Sequence, residues 1–189
     1  MIVAQATERS IVAGTVWHGP VHPEIFSREG ALIRRSDVRF AVQCLIAMAI
    51  YHLHVKVISR KAGQSAVASA AYRSASRLRD NRLDRDQDFS KKRGVVHSEV
   101  LLPDGAPEVW EDRERLWNDV EAFEVRKDAQ LAREVEFAIP REMAQAQGIE
   151  LARDFAQAEF VDQGMIADLN VHWDIGEDGM PKPHAHVML

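Results

Sequence analysis

The segment from Arg133 to Pro140 alternates strictly between polar and apolar side chains, and it constrains the fold of this chain more than any other stretch. Successive side chains of an extended strand point to opposite faces. Glu134 and Glu136 therefore share one face of a predicted strand, and the apolar residues that alternate with them share the other. Two carboxylates on one strand face are unusual, and the simpler alternative is a sheet surface that faces solvent.

Four further segments have the composition and period of strands, and three longer segments have helical periodicity. The predicted strands cover residues 51–57, 95–102, 166–173 and 183–189, and the predicted helices cover residues 64–78, 106–127 and 143–160. The resulting order is β-α-β-α-β-α-β-β. This order predicts an α+β fold with an antiparallel-type central sheet of four to five strands and helices packed mainly on one face.

Two of these segments also predict which side chains enter the core. The first strand is predicted to be half-buried, with Tyr51, Leu53, Val55 and Val57 on its apolar face. In the second helix, the residues predicted to face inward are Trp110, Leu116, Trp117, Val120 and Phe123.

The composition is that of an ordinary globular chain with one core, because 46% of the 189 residues are hydrophobic and 28% are charged. The formal net charge of −5 argues against a protein that coats nucleic acid indiscriminately. The single cysteine, Cys44, cannot form an intramolecular disulfide and fits a reducing compartment. The only long apolar run, Phe40 to Tyr51, is too short to span a membrane, so we predict a cytoplasmic protein without membrane insertion.

The first part of the chain differs from the rest. Residues 1–47 have no steady hydrophobic period and are interrupted by glycine and proline, so we predict a poorly structured N-terminal extension that is not native. The regular pattern begins just after Met48, which we predict to be the natural start. The domain is therefore predicted to span residues 48–189.

Three histidines lie in the last two predicted strands. His184 and His186 are two positions apart, so they project from the same side of an extended segment. His172 lies in the preceding strand, and the turn-rich residues 176–181 between the strands can bring them side by side. Three imidazoles on one sheet face predict a metal site with positions left for substrate and water. The alternative is a set of half-exposed histidines with no ligand.

Tyr72 has an unusual position in the first predicted helix. On a helical wheel it lies with Ser65, Ser69 and Ser76, away from the buried stripe. A core tyrosine normally lies among apolar residues, so this position indicates that something large approaches the ring. A half-exposed surface tyrosine is the alternative reading.

A basic stretch follows this tyrosine. Residues 73–97 contain eight arginines and lysines against four aspartates, which leaves a net charge of +4 in an acidic chain. The stretch predicts a basic patch, with a solvated loop of mixed charge as the alternative.

Several of these motifs together resemble the MobA/MobL family of plasmid relaxases, which are TraA-like histidine-hydrophobe-histidine endonucleases. The residues that carry the resemblance are Met48 to His52, Gly63-Gln64-Ser65 followed by Ala71-Tyr72, residues 95–97, 117–121 and 133–140, and His172 with residues 183–186. They occur in order from Met48 to the C-terminus. Ala185 is small for the hydrophobic position between the paired histidines.

The resemblance implies a role for each of these residues. Tyr72 would be the nucleophile and Glu134 the supporting carboxylate, with Glu136 the weaker candidate for that role. The implied metal ligands are His172, His184 and His186, with Mg²⁺ or Mn²⁺ as the divalent ion. The candidates for contacts with the DNA backbone are Arg73, Arg77, Lys91 and Lys92.

The implied activity is site- and strand-specific nicking of single-stranded DNA at an origin of transfer, through a 5′-phosphotyrosyl intermediate. The implied partners are that DNA, accessory relaxosome proteins and a coupling protein. Family members continue beyond the position of Leu189, so residues 48–189 are expected to be a relaxase domain truncated at its C-terminus.

Three other functions stay open. A rolling-circle replication initiator uses the same groups, but its histidine pair usually precedes the tyrosine, whereas Tyr72 comes first here. A three-histidine enzyme acting on a small molecule would not need Tyr72 beside a basic stretch. A truncated remnant could bind DNA without nicking it.

Overall fold

The computed structural model describes Ser10–Val12, Thr15–Trp17 and residues 52–189. By its internal contacts the chain divides into a unit of residues 1–49 and a unit of residues 50–189. In the first unit, β1 (Ser10–Val12) and β2 (Thr15–Trp17) pair antiparallel. The rest of the predicted extension 1–47, and the predicted start at Met48, lie outside the described residues. Among the helices of the described part, none has the length and apolar character needed to cross a membrane.

The second unit is organised around a five-stranded sheet. Its strands are β3 (Leu53–Ser59), β6 (Val95–Leu101), β7 (Gln130–Ala138), β8 (Ala167–Ile175) and β9 (Pro181–Met188). The order across the sheet is β3-β7-β9-β8-β6, and every adjacent pair is antiparallel. The predicted α+β class and the predicted antiparallel sheet are therefore confirmed.

Three helices pack on this sheet. The first two, α1 (Ala66–Ser74) and α2 (Arg113–Phe123), share a core with Ile58, Ala132 and Met188. The third, α3 (Gln145–Glu159), packs against Val171, Ala185 and Val187 on the opposite face. Alternation along β9 places Met188 and Val187 on different faces, so two of the three helices lie on one side and one on the other. Helices lie mainly on one face, as predicted, and α3 covers the other.

A small hairpin follows α1 and was not predicted. Its strands are β4 (Arg77–Asp80) and β5 (Arg85–Asp88), which pair antiparallel. The predominance of charged residues here hides the strand pattern in the sequence. The inward-facing positions are Leu78, Asp80 and Gln87, and the two polar ones bond each other, with Gln87 Nε2 donating to Asp80 at 3.2 Å.

Some core predictions were wrong. Phe123, at the end of α2, is 85% exposed, whereas Leu116 and Trp117 are buried as predicted. On the predicted apolar face of β3, Leu53, Val55 and Val57 are 41–57% exposed, because β3 is an edge strand and α3 packs mainly on β8 and β9. The second predicted helix is also shorter than expected: it begins after Asp112, whose carboxylate accepts from the amides of Glu114 and Arg115.

Candidate active site

Strand register brings the three predicted histidines together. His172 of β8 lies directly opposite His184 of β9. His186, two residues further along β9, projects from the same face. The centroids of the three rings are 4.8–5.1 Å apart, and one ring nitrogen from each lies within 4.8 Å of the others. The arrangement has the donor set of a three-histidine cation site.

Hydrogen bonds to oxygen acceptors determine which nitrogen each ring offers. His186 Nδ1 lies 2.7 Å from a carboxylate oxygen of Glu134, and His184 Nδ1 lies 2.9 Å from the carbonyl of Lys182. His172 Nε2 lies 2.7 Å from the carbonyl of Arg73. An ionised carboxylate or a carbonyl only accepts, so each of these nitrogens carries the hydrogen. In a neutral ring, the other nitrogen has a free lone pair and can bind a cation. Metal-binding histidines are usually oriented by such a hydrogen bond.

Burial keeps the two inner rings neutral. Burial lowers the pKa of His172 to about 4, against the raising effect of its bond to the Arg73 carbonyl. Burial also lowers the pKa of His186, and the nearby Arg73 guanidinium adds to this, although the bond to Glu134 works in the opposite direction. Neutral imidazole is the form that binds a cation, so the site fits a metal at neutral pH.

Glu134 of β7 lies next to His186 and is only 1% exposed. It accepts hydrogen bonds from Arg73 Nε at 2.5 Å, from Arg73 through its second nitrogen at 3.0 Å, and from His186. Lys56 Nζ lies 3.5 Å away. Burial alone would raise the pKa of Glu134, but the bonds from His186 and Arg73 outweigh it and lower the pKa to about 2. The carboxylate is therefore ionised, and both of its oxygens accept hydrogen bonds.

Glu136 is a less embedded carboxylate on the same face. Its side chain is 25% exposed, and Lys56 Nζ lies 3.4 Å from it. Burial raises the pKa of Glu136, and the nearby His186 and Lys56 outweigh this and lower it. Its oxygen lies 3.7 Å from His186 Nδ1, a full ångström further than that of Glu134. Of the two carboxylates, Glu134 is the one bonded to a histidine of the cluster.

Tyr72 lies near the end of α1, and both ends of this helix are fixed. At its start, Ser65 Oγ accepts from the amide of Ala68 at 3.2 Å, and Glu121 of α2 accepts from the amide of Ala66 at 2.9 Å. At its end, the Arg73 carbonyl meets His172. The helix that carries Tyr72 is therefore attached directly to the histidine cluster.

The tyrosine ring itself is 42% exposed. Phe89 contacts it edge-on, with ring centroids 5.3 Å apart. Lys92 Nζ lies 4.1 Å from the ring centroid and donates to the Tyr72 carbonyl at 3.1 Å. The ring is held by its neighbours yet remains accessible to a large ligand.

The four residues predicted to contact DNA have different surroundings. Arg73 was predicted to contact a DNA phosphate, but in the structure its guanidinium is bonded to Glu134. Arg77 pairs with Asp86 at the surface, and Lys92 lies against Tyr72. Lys91 is exposed. Sequence reasoning missed the position of Arg73, although a glutamate on a covered sheet face needs a cation nearby.

Comparisons with known proteins show which family this chain resembles. The sequence model of the MobA/MobL family matches residues 64–189. The chain is 40% identical to the conjugal transfer protein TraA of Agrobacterium fabrum, over 75% of this chain and 13% of that protein. It is 44% identical to the mobilization protein MobL of Acidithiobacillus ferridurans, over 66% of this chain and 32% of that protein. The chain thus spans a small part of both relatives.

A solved structure is similar as well. It concerns the molecular basis of vancomycin resistance transfer in Staphylococcus aureus. The two chains are 42% identical and superpose with a TM-score of 0.68, over 74% of this chain and 69% of that one.

Proposed function

The chain belongs to the MobA/MobL family of relaxases, and on this premise we propose that it nicks one DNA strand at an origin of transfer through Tyr72. One observation carries the proposal. Three imidazoles converge on one sheet face, and one of them, His172, bonds the backbone next to Tyr72. A cation site and an accessible tyrosine on adjoining elements are the two parts that such a reaction needs.

The reaction exchanges one phosphate ester for another. The Tyr72 oxygen attacks the phosphorus and loses its proton to solvent, while the bond from phosphorus to the 3′ oxygen breaks and that oxygen takes up a proton. The products are a 5′-phosphotyrosyl ester and a free 3′-hydroxyl, so the reverse reaction can rejoin the strand. A divalent cation, when bound by His172, His184 and His186, would neutralise charge on the phosphate and hold it for in-line attack.

Glu134 serves this site by orienting His186. A general base needs a free lone pair and a pKa near the working pH. Glu134 fits this role poorly, because it accepts three hydrogen bonds from Arg73 and His186 and has a pKa of about 2. Its bond to Nδ1 instead keeps the other nitrogen of His186 directed away from the carboxylate, toward a cation.

We assign Mg²⁺ or Mn²⁺ as the ion and single-stranded DNA at the origin as the substrate. Imidazole ligands favour Mn²⁺ in intrinsic affinity, whereas Mg²⁺ is more abundant. The reaction would take place in the cytoplasm, with accessory relaxosome proteins and a coupling protein as partners. Lys92 lies against the Tyr72 ring and is a proposed contact with the DNA backbone, together with Lys91 and Arg77.

Covalent trapping of DNA tests the proposal. The protein is incubated with Mn²⁺ and single-stranded oligonucleotides tiled across the DNA around its gene, and the products are separated on a denaturing gel. We expect a protein–DNA adduct that chelator abolishes and that Tyr72→Phe lacks. Tyr51→Phe is the matched control, since the chain has two tyrosines. An adduct that persists in Tyr72→Phe would overturn the assignment.

A further inference from the structure

A cavity opens directly beside Tyr72, between α1 and the β4–β5 hairpin. Its volume is about 330 Å³, and the residues used below are Gln64, Ser65, Ser69, Tyr72, Leu83 and Arg85. This volume is at the lower end of the range of ~300–1,000 Å³ typical of small-molecule pockets. The cavity adjoins the histidine cluster, because Arg73 lines the cavity and also bonds Glu134 and His172 of the cluster.

Arg85 gives this cavity an available positive charge. Three of the four arginines between positions 77 and 85 are neutralised by carboxylates: Arg77 by Asp86, Arg79 by Asp84 and Asp86, and Arg82 by Glu121. Within the part of the chain that the structure describes, Arg85 has no carboxylate at ion-pair distance. Two arginines line the cavity, Arg73 and Arg85, and Arg73 is bound to Glu134. Arg85 therefore supplies the available positive charge.

The remaining wall offers both polar and apolar contacts. Gln64 Oε1 already accepts from the amide of Ser59 at 2.8 Å, so its NH₂ group is left to donate. Ser69 Oγ donates to the Ser65 carbonyl at 2.9 Å, so its lone pairs are left to accept. Leu83 is 38% exposed and supplies apolar surface. A nucleobase needs this combination, because its faces are flat and stack while its edge donates and accepts.

We propose that this cavity is a subsite for one unpaired nucleotide of the DNA strand, with the base beside Leu83 and a phosphate on Arg85. The inference rests on the proposed function, since contact with Tyr72 makes the occupant a nucleotide that flanks the scissile phosphate. The start of α1 is not the anion site, because the amides of Ala66 and Ala68 already bond Glu121 and Ser65. Recognition comes from the hairpin and the exposed side of the helix.

Binding of a fluorescein-labelled oligothymidylate, followed by anisotropy in Mn²⁺ at several salt concentrations, tests the subsite. Arg85→Gln should weaken binding about tenfold at low salt, and the slope of log affinity against log salt should fall by about 0.7, as for one lost contact to a single-strand phosphate. Arg79→Gln is the matched control, because it removes the same charge from the same hairpin at a side chain already paired. It should retain the wild-type slope.

Two results would overturn the subsite. Arg85→Gln could bind as the wild type does, or both variants could lose affinity and slope equally, which would indicate only a general effect of charge. Thermal unfolding of both variants shows whether the hairpin is intact. If Arg85→Gln has lost the fold, Arg85→Lys replaces it: this variant keeps the charge and should retain the wild-type slope but not the full affinity.

A second measurement separates this inference from the proposed function. An abasic site is moved along an oligonucleotide that forms the covalent adduct. We expect one position next to the nick to lower the adduct yield, and Leu83→Ala to remove that dependence. Unchanged dependence in Leu83→Ala overturns the subsite while the nicking function stands. If the wild type forms no adduct but Arg85→Gln still weakens oligothymidylate binding relative to Arg79→Gln, the nicking function fails and the nucleotide site stands.

Discussion

The carboxylate of Glu134 lies 2.7 Å from Nδ1 of His186, and Arg73 donates a hydrogen bond to each oxygen of the same carboxylate. A bond of this kind fixes the tautomer and the orientation of a ligating histidine. We therefore expect Glu134→Gln to weaken Mn²⁺ binding by about 10- to 100-fold, as measured by isothermal titration calorimetry. Glu136→Gln, on the same face but further from His186, should have a smaller effect. Equal losses in the two variants would contradict the account.

Arg73 should contribute to the free energy of unfolding, because its guanidinium compensates the buried charge of Glu134. Its side chain is 17% exposed, and among the residues that the structure describes its loss would leave Glu134 with the more distant Lys56 as the one remaining Lys or Arg partner. Removing one partner of a buried pair costs about 3 kcal/mol or more. Urea denaturation should show this destabilisation in Arg73→Gln and none in Arg126→Gln, whose partner Asp128 is at the surface. If Arg73→Gln is as stable as the wild type, the ion pair does not have the structural role assigned to it.

Asp80 should make the stability of the tyrosine-bearing region depend on pH. It is fully buried and accepts from Ser65 Oγ at 2.6 Å, from the Leu83 amide at 2.9 Å and from Gln87. Burial raises the pKa of Asp80, but these hydrogen bonds outweigh it and lower the pKa below its ordinary value. A carboxyl with a lower pKa in the folded state stabilises the fold at neutral pH, and the contribution disappears as the pH falls through the folded-state pKa.

Urea denaturation of Asp80→Asn tests the direction of this pH dependence. The variant should be less stable than the wild type at neutral pH, and the difference should shrink toward strongly acidic pH. Asp104→Asn, at an exposed position, should show little difference at either pH. A difference for Asp80→Asn that stays constant or grows in acid would contradict the prediction.

The histidine cluster predicts stabilisation by a divalent ion. An ion that binds only the folded state at a concentration of 100 times its dissociation constant adds about 2.7 kcal/mol to the free energy of unfolding. Mn²⁺ should therefore raise the melting temperature of the wild type, and chelator should reverse the increase. His184→Ala should lose this response, whereas His54→Ala, an exposed histidine of β3, should keep it. A full response in His184→Ala would place the ion elsewhere.

Alternation in the sequence was enough to predict the sheet and the grouping of the histidines. A period of two fixes the shared face of His184 and His186, and a short turn fixes their proximity to His172. The partner of Glu134 could not be predicted in the same way. Arg73 is 61 positions away, and only the packing of α1 on the sheet brings the two together.

The net charge of residues 73–97 predicted a basic patch but not which of its arginines are available to bind a ligand. The sequence shows that residues 73–97 have a net positive charge, but it does not show which arginines are paired with the four aspartates. In the structure, the hairpin register sets Arg79 opposite Asp86, and Arg82 reaches Glu121 on α2. Which arginine stays available depends on these tertiary contacts, and the hairpin itself was not predicted.

The central claim is that Tyr72 becomes covalently joined to DNA, and peptide mapping tests it most directly. The adduct is digested with nuclease and protease, and the peptides that carry nucleotide mass are identified by tandem mass spectrometry. The account predicts a nucleotide linked through its 5′ phosphate to Tyr72 alone, in a reaction that requires the divalent ion. Nucleotide on Tyr51 or on another side chain, with Tyr72 unmodified, would contradict it.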